Sequence, residues 1–588
     1  MSVPDRPARL AVLALVLVLF PLLATAIRPV WTIDPDASIY VSLARSLAAG
    51  EGYTLDGVPH TKYPPGLPIL LSGVVRVAGP EAYAGFHAVL VTALLAAVWL
   101  AYLVTRRLGY RPVVAWSVAA ATGLSQTLFD LSVTYLRTET VFLALTLGAL
   151  LALWRAFSPS GGWPSATLAA LLVVAACSVR LAGVGLLAVP ALHALRPRTP
   201  GAARGRATLV LVVGLLALAA WQARTGSVAR AFPGATNYGT EFTAAEPRDL
   251  TKIVRVDMPR LDGPALVRRV AGNLEVMTRA MAVLLTNVDR AGARLPVGAL
   301  CLLLVMAGLH VMWWRPRTRP AGPDAVAYVL AMLAVCLVWP FNQQERFYVP
   351  LLPLLLVAAG EGLLEGLRLA GRFAGSRAGR ALLLAGGGAV LLLLAAQRSD
   401  NPVLLGRWSY GYAALLAAAV LLGLLVARQL ARGQLPALQP GHALLAVALI
   451  ALPFLHRRVV EWPRQVAAFS ERRAREPATG SLARIDVDPR LEAVALYLRD
   501  HTPADTVLMT DVPRMLQVMS GRRCIPFVYS VDPPAVQTDG AQLLFYTREI
   551  AEAAAVMDTV APRLQPVLEL DPVEDGGRLV RPTVYRAP

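Results

Sequence analysis

The chain has 588 residues, of which 56% are hydrophobic, and its formal net charge is +18. Long apolar runs recur along the sequence, which excludes an ordinary soluble protein and predicts a polytopic membrane protein. Nearly all of the basic residues are arginines, and most of those in the short loops between the runs lie where the positive-inside rule places them. Because this distribution follows the positive-inside rule, it argues against nucleic-acid binding as the reason for the charge.

The first apolar run covers 10–30 and follows Arg6 and Arg9, which predicts a cytoplasmic N-terminus and an external loop after the first span. Residues 24–26 also resemble a signal-peptidase site, but the run is long enough to span and we favour a retained helix. Further spans are predicted at 82–105, 112–129, 139–156, 163–179, 181–195, 207–223, 297–314, 323–340, 347–364, 381–396, 409–426 and 441–456. The total of about thirteen spans places the C-terminus outside.

The first external loop, residues 31–81, contains the most unusual pattern of the chain. Apolar residues at helical spacing predict a helix over 37–49, and Asp36 stands at its start, where a carboxylate caps the first turn. Gly50 and Gly52 end the helix. The sequence Tyr63-Pro64-Pro65-Gly66 then predicts a rigid extended turn, since each proline restricts its own backbone and that of the residue before it.

This loop resembles the first external loop of the GT-C membrane glycosyltransferases, in the branch of the protein O-mannosyltransferases and aminoarabinose transferases. The resemblance is carried by Asp36, by 43–47 (Leu-Ala-Arg-Ser-Leu), by 50–53 (Gly-Glu-Gly-Tyr) and by 63–68 (Tyr-Pro-Pro-Gly-Leu-Pro). Many members have Asp-Glu where this chain has Asp36-Ala37. The resemblance implies an inner (plasma) membrane protein with about thirteen helices and a small extracytoplasmic α/β domain at the C-terminus.

Two further external segments are expected. The loop 224–296 contains an amphipathic stretch at 265–285, which we expect on the membrane surface or over the site. The tail 457–588 is predicted as the α/β domain, and 1–456 as the membrane domain. Within the tail, alternating patterns predict helices at 490–499 and 513–519 and strands at 506–510 and 525–529.

The resemblance implies transfer of a sugar from a polyprenyl-phosphate donor to an acceptor hydroxyl, with inversion. A phosphate leaving group needs little protonation, so this chemistry requires one base for the acceptor and cations for the phosphate. Asp36 is the candidate base, and a helix cap is its structural alternative. Asp34, two residues earlier, is the second candidate for the base and a substrate-binding candidate. Glu139, at the start of the fourth span, is a second acid, with a helix-dipole role as the equally weighted alternative.

The candidate phosphate ligands are cationic residues near the outer surface. Arg346, with Tyr348, resembles a family motif of arginine, tyrosine and two spaced prolines, and a guanidinium there could hold phosphate oxygens in a bidentate manner. Arg180 lies between two apolar spans, where an arginine is costly unless it meets water or an anion. Lys62 and Tyr63 beside the double proline complete the substrate-binding set. Plain interfacial roles are the alternatives for Arg180 and Arg346, and a solvated surface position is the alternative for Lys62.

No cofactor is predicted. His60 could bind a divalent metal, but the sequence offers no partner histidine at suitable spacing, and the four cysteines are scattered without a metal-binding pattern. Two other functions stay open: a transporter or flippase for lipid-linked sugars, and a catalytically inactive scaffold. A transporter would show inverted repeats and charges at mid-bilayer, and the sequence shows neither. The identity of the sugar and of the acceptor, whether lipid, polysaccharide or protein, is not specified by the sequence.

Overall fold

The computed structural model describes most of the chain. The described residues are 6–27, 31–55, 57–197, 199–231, 238–245, 253–255, 259–286, 291–315, 320–340, 344–373, 485–486, 488–530, 534–537, 540–547, 551–569, 573–575, 578–580 and 583–587. The predicted spans at 381–396, 409–426 and 441–456 and the predicted domain boundary at 456 lie outside the described residues.

The N-terminal part is helical and integral to the membrane. Its helices are α1 (Arg6–Ala26), α2 (Pro35–Ala49), α3 (Gly66–Ala78), α4 (Tyr83–Arg107), α5 (Pro112–Leu124), α6 (Gln126–Val133), α7 (Glu139–Phe157), α8 (Trp163–Val179), α9 (Ala188–Leu195), α10 (Gly201–Ala231), α11 (Tyr238–Thr243), α12 (Gly263–Thr286), α13 (Ala291–Trp314), α14 (Gly322–Val338) and α15 (Leu352–Phe373). Six described helices are long and apolar enough to cross a bilayer, and shorter apolar helices pack among them.

Several boundaries differ from the sequence prediction. The predicted span 112–129 is divided into α5 and α6, because Ser125 leaves the helical conformation and caps α6 by accepting the Leu128 N–H. The predicted span 181–195 begins as a 3₁₀ helix over Leu181–Leu187. The loop 31–81 also contains α3, a helix that the sequence pattern does not predict. At Gly66, the first residue of α3, a Cβ would be 2.7 Å from the Ser178 carbonyl oxygen, so the two backbones are in close contact.

Helix α2 is capped by a different aspartate from the one predicted. Asp34 is the N-cap, and its Oδ1 accepts the backbone N–H groups of Asp36 and Ala37 at 3.0 and 3.2 Å. Asp36 therefore lies within the first turn, and its carboxylate is available for other contacts. The predicted end is confirmed, because Gly50 has a φ of 81° and closes the helix in the left-handed conformation.

Close packing of α13 against α15 positions the segment that precedes α15. A Cβ at Gly308 would be 1.8 Å from the Ala358 carbonyl oxygen, and one at Gly362 would be 1.9 Å from that of Leu304. Glycine at both places allows the two backbones to touch, as is common between membrane helices. The two 3₁₀ turns before α15, Gln344–Phe347 and Val349–Leu351, are thereby placed beside α7 and α12.

The C-terminal region combines helices and strands, as predicted. Its elements and the short strands of the earlier loops are β1 (Trp31–Thr32), β2 (Thr54–Leu55), β3 (Val58–Pro59), β4 (Ile253–Arg255), β5 (Ile485–Asp486), α16 (Pro489–His501), β6 (Val507–Thr510), α17 (Pro513–Ser520), β7 (Arg523–Ser530), β8 (Ala535–Val536), β9 (Leu543–Phe545), α18 (Ala551–Val560), β10 (Gln565–Glu569), β11 (Val573–Asp575), β12 (Arg578–Val580) and β13 (Thr583–Arg586). The fold class, a polytopic helical membrane protein with an α/β C-terminal region, is confirmed.

The main sheet joins the tail to the loop 224–296. Its order is β10-β13-β9-β6-β7-β4, and β8 also pairs with β7. Strands β6, β7 and β9 are mutually parallel around β6, with Leu508 opposite Cys524 and Leu543. Strand β4 comes from the long external loop and pairs in parallel with β7. Because β1 also pairs with β5 and α2 contacts α17, the tail packs against the first external loop.

Candidate active site

A cleft opens where the loop 31–81 meets the ends of the membrane helices. It encloses about 640 Å³ with its open mouth included. Asp36, Tyr63, Arg180 and Arg346 contribute polar groups to its wall. Apolar residues form the rest, among them Phe142, Leu181, Met332, Val335 and Trp339. A mostly apolar concavity with a few converging polar groups is typical of a ligand site.

Asp36 is held by contacts to both carboxylate oxygens. Its Oδ1 accepts the Tyr63 hydroxyl at 2.8 Å. Its Oδ2 accepts two guanidinium groups, Arg137 Nη1 at 3.0 Å and Arg346 Nη2 at 2.9 Å. The side chain is only 8% exposed, so these charge-assisted bonds form in a poorly solvated place, where they fix orientation strongly.

Arg137 connects Asp36 to the cap of its own helix. Its Nη2 lies 3.1 Å from Asp34 Oδ1, so one guanidinium bridges two carboxylates at the start of α2. Burial raises the pKa of Asp34 to about 6; the charge of Arg137 opposes this and the charge of Asp36 adds to it. Burial disfavours the charged form of Arg137, but the carboxylates of Asp34, Asp36 and Glu139 raise its pKa above the usual range.

Glu139 ties the two cleft arginines together. It is fully buried at the first turn of α7, where a helix N-terminus favours a carboxylate. Its Oε1 accepts Arg180 Nη1 at 2.6 Å and Arg346 Nε at 2.7 Å. Arg180 also donates to Thr138 Oγ1 at 3.0 Å, and its guanidinium lies over the Phe347 ring at 5.3 Å. Both arginines thus present their positive charge at the cleft wall in fixed positions.

These contacts join three acids and three arginines into one network, which we call the acid–arginine cluster: Asp34, Asp36, Arg137, Glu139, Arg180 and Arg346. Its formal charges balance, which is how buried ionic groups are accommodated in a poorly solvated interior. Its members come from α2, from the turn before α7, from α7 itself, from the end of α8 and from the turn before α15. Four segments far apart in the sequence therefore meet at the cleft.

Lys62 lies outside the cleft wall, although it neighbours Tyr63. Its Nζ is 2.8 Å from Glu241 Oε1, and both side chains are fully buried. Glu241 belongs to α11 in the long external loop. This loop also packs its Phe242 against Trp339, a residue of the cleft wall, with ring centroids 5.3 Å apart. The first and the long external loops are therefore joined beside the cleft, which the sequence analysis allowed but did not specify.

His60 supports the double-proline turn. Its Nε2 accepts the backbone N–H of Tyr63 at 3.0 Å, and the two rings stack with centroids 5.7 Å apart. Arg224 of α10 donates to the His60 carbonyl oxygen at 2.7 Å. Burial, helped by the charges of Arg514, Lys62 and Arg224, lowers the pKa of His60 to about 3, so the ring is neutral at physiological pH.

The cleft thus brings together Asp36, Tyr63, Arg180 and Arg346, with Asp34 and Glu139 directly behind them. Tyr348 is fully buried and is not part of the cleft wall. Arg137 is the residue that the sequence analysis did not single out. The sequence offers one indication of its role: Arg137 stands two residues before the candidate acid Glu139, in a turn expected on the same side of the membrane as Asp36. Within the described part of the chain, histidine, cysteine and acidic residues form no group of three that could hold a metal ion.

No protein-family model and no curated protein matches the sequence. Among solved structures, ArnT from Cupriavidus metallidurans bound to undecaprenyl phosphate is 16% identical with a TM-score of 0.47, over 98% of this chain and 97% of that one. The archaeal oligosaccharyltransferase AglB from Archaeoglobus fulgidus, in complex with an inhibitory peptide and a dolichol-phosphate, is 12% identical with a TM-score of 0.47, over 97% of this chain and 74% of that one. Because identities and TM-scores are this low, the function proposed below depends on the residues of the cleft.

Proposed function

We propose that the chain is a membrane glycosyltransferase that moves a sugar from a polyprenyl-phosphate donor to an acceptor hydroxyl. The observation that carries this proposal is the cleft wall itself, where one carboxylate and two guanidiniums converge. Asp36 supplies the carboxylate, and Arg180 and Arg346 supply the positive charge. A base for the acceptor and cations for a phosphate leaving group are the two requirements of this reaction.

The donor phosphate would bind at Arg346 and Arg180. Their guanidiniums share Glu139 Oε1 as a partner at 2.7 and 2.6 Å, so they lie side by side. Two adjacent guanidiniums can hold the oxygens of one phosphate with the paired geometry that an ammonium lacks. The apolar part of the wall, including Leu181, Met332 and Val335, would accommodate the first isoprene units. Lys62 and Tyr348 would support this region from outside the cleft wall.

Asp36 would act as the base. Its carboxylate is oriented by Tyr63 and by guanidiniums, and it faces the cleft from the first turn of α2. It would take the proton of the acceptor hydroxyl while that oxygen attacks the anomeric carbon, and the phosphate would leave from the opposite face with inversion. Glu139 would keep Arg180 and Arg346 beside the phosphate through its contacts with Arg180 Nη1 and Arg346 Nε. No step in this scheme requires a metal or an organic cofactor.

We further propose that the cleft opens on the outer face of the inner membrane, with the N-terminus in the cytoplasm. In this arrangement residues 1–456 form the membrane domain, with the external loops 31–81 and 224–296, and 457–588 form the extracytoplasmic domain. The pairing of β1 with β5 and of β4 with β7 supports the placement of both loops and the tail on one side. The acceptor, a lipid, polysaccharide or protein, would then approach from that side.

The test is transfer of radiolabelled sugar in membrane vesicles that contain the protein, with a panel of polyprenyl-phosphate sugars and with endogenous acceptors. We expect one donor to support incorporation, and an otherwise identical preparation of Asp36→Asn to lack it. Arg45→Gln is the matched control, because Arg45 lies in the same loop but donates to the Pro80 carbonyl and the Tyr83 hydroxyl. Equal incorporation by wild type and Asp36→Asn would contradict the proposal.

A further inference from the structure

Two arginines contact the same oxygen of Asp36, but their surroundings differ. Arg137 and Arg346 lie 3.0 and 2.9 Å from Asp36 Oδ2. Arg346 belongs to the cleft wall, and Arg137 does not. The Arg137 guanidinium instead lies over the Tyr135 ring, with its carbon 5.7 Å from the ring centroid. A phosphate that enters the cleft therefore meets Arg346 first, and Arg137 stays behind the carboxylate.

The second partner of each arginine also differs. Arg137 pairs with Asp34, which is on the same helix as Asp36 and is fixed as the cap of that helix. Arg346 pairs with Glu139, which belongs to α7 and already has Arg180 as a partner. If Arg137 moved away, the buried carboxylates of Asp34 and Asp36 would lose a compensating positive charge. The loss of this charge would destabilise the folded protein. Departure of Arg346 from Asp36 would leave Arg137 on Asp36 and Arg180 on Glu139.

The backbone around Arg137 is also constrained. The turn that carries it closes α6, where the N–H groups of Thr134 and Tyr135 both donate to the Asp130 carbonyl oxygen at 3.0 and 2.9 Å. Two residues after Arg137, Glu139 starts α7. Arg137 is thus attached to a short tight connection between two packed helices, which suits a group that holds another side chain in place.

We propose that Arg137 is a positioning residue that remains on Asp36 throughout the reaction, whereas Arg346 leaves Asp36 to bind the donor phosphate. This inference rests on the proposed function and assigns different roles to two arginines that contact one atom. When Arg346 turns to the phosphate, Asp36 Oδ2 loses one of its two donors and gains room for the acceptor hydroxyl. Donor binding thereby prepares the base, and Arg137 with Tyr63 keeps the carboxylate aimed at the cleft.

The test compares purified Arg137→Gln, Arg137→Lys and Arg346→Gln with wild type and with the control Arg45→Gln. Two quantities are measured on each preparation: affinity for undecaprenyl phosphate without a sugar, and single-turnover transfer from saturating donor. For Arg137→Gln we expect affinity to stay within about threefold and the transfer step to slow about 100-fold, the usual effect of a misplaced catalytic group. For Arg346→Gln we expect affinity to fall about 10- to 100-fold, as for loss of a charged hydrogen bond.

Arg137→Lys should recover part of the transfer rate, because an ammonium can reach one carboxylate but cannot bridge two. A loss of affinity in Arg137→Gln as large as that in Arg346→Gln would make Arg137 a phosphate ligand and overturn the inference. An unchanged transfer rate, or failure of both Arg137 variants to fold, would also overturn it. If wild type itself neither binds undecaprenyl phosphate nor transfers sugar, the proposed function is what fails.

Discussion

The raised pKa of Asp34 makes the folding stability of the protein depend on pH, and the size of this effect follows from the pKa shift. The Asp34 carboxyl group has a pKa of about 6 in place of 3.8, because burial outweighs the charge of Arg137. The folded protein therefore holds this proton more tightly than the unfolded chain does. The difference between the two pKa values corresponds to a free energy of about 3 kcal/mol. That contribution to stability is complete below pH 3.8 and is lost as the pH rises through 6. Asp34→Asn removes the titration but keeps an oxygen that can cap α2.

The assay is thermal unfolding of wild type and Asp34→Asn in the same detergent, from pH 4 to pH 7.5. We expect the stability of wild type relative to the variant to fall by about 2.4 kcal/mol over this range, almost all of it between pH 4 and pH 6, with the midpoint near pH 5. Taking the difference between the two proteins cancels the titration of groups that both share. A difference that is constant across the range would mean that Asp34 is not buried beside Arg137 as described.

Three further predictions concern groups around the cleft. Arg346→Lys should retain only part of the donor affinity of wild type, because an ammonium cannot contact two phosphate oxygens in the paired geometry of a guanidinium, and Arg346→Ala should retain still less. If both variants bound the donor as tightly as wild type in a binding assay, Arg346 would not belong to the phosphate site. His60→Gln should lose the acid sensitivity that a neutral buried histidine confers. From pH 6.5 to pH 5, wild type should lose about 1.6 kcal/mol of stability relative to the variant, and a stability difference that stays constant over this range would contradict this. Lys62→Met should destabilise the protein by about 3–5 kcal/mol, because it removes the cation that pairs with the buried Glu241. Adding Glu241→Gln should restore most of that stability in thermal unfolding. If the two substitutions instead destabilised the protein additively, Lys62 and Glu241 would not act as a pair.

Apolar length and the arginines between the apolar runs predict each of the six described helices that are long and apolar enough to cross a bilayer. They could not predict the break between α5 and α6, because Ser125 caps a new helix inside one continuous apolar run. Nor could they predict α3, whose start depends on the approach of Gly66 to the Ser178 backbone. Contacts of this kind arise between segments distant in the sequence, so local pattern carries no sign of them.

Local sequence pattern likewise predicts only some residues of the candidate site. Asp36, Arg180 and Arg346 were chosen from motif and position, and they share one cleft. The cap was assigned to Asp36 instead of Asp34, since both stand before an apolar run and only the backbone conformation separates them. The partner of Lys62 lies in the long external loop, where composition gave no reason to single out Glu241. Arg137 was missed because a lone arginine beside a helix start is ordinary at a membrane surface.

The central claim is that Asp36 is the base of a sugar transfer from a polyprenyl-phosphate donor. Its most direct test is a single-turnover measurement on purified wild type and Asp36→Asn, with the same donor and acceptor, recording both sugar transfer and release of polyprenyl phosphate. We expect Asp36→Asn to fold, because Asp34 caps α2, and to bind the donor, while transfer slows by about two to four orders of magnitude. Normal single-turnover transfer by folded, donor-bound Asp36→Asn would contradict this claim.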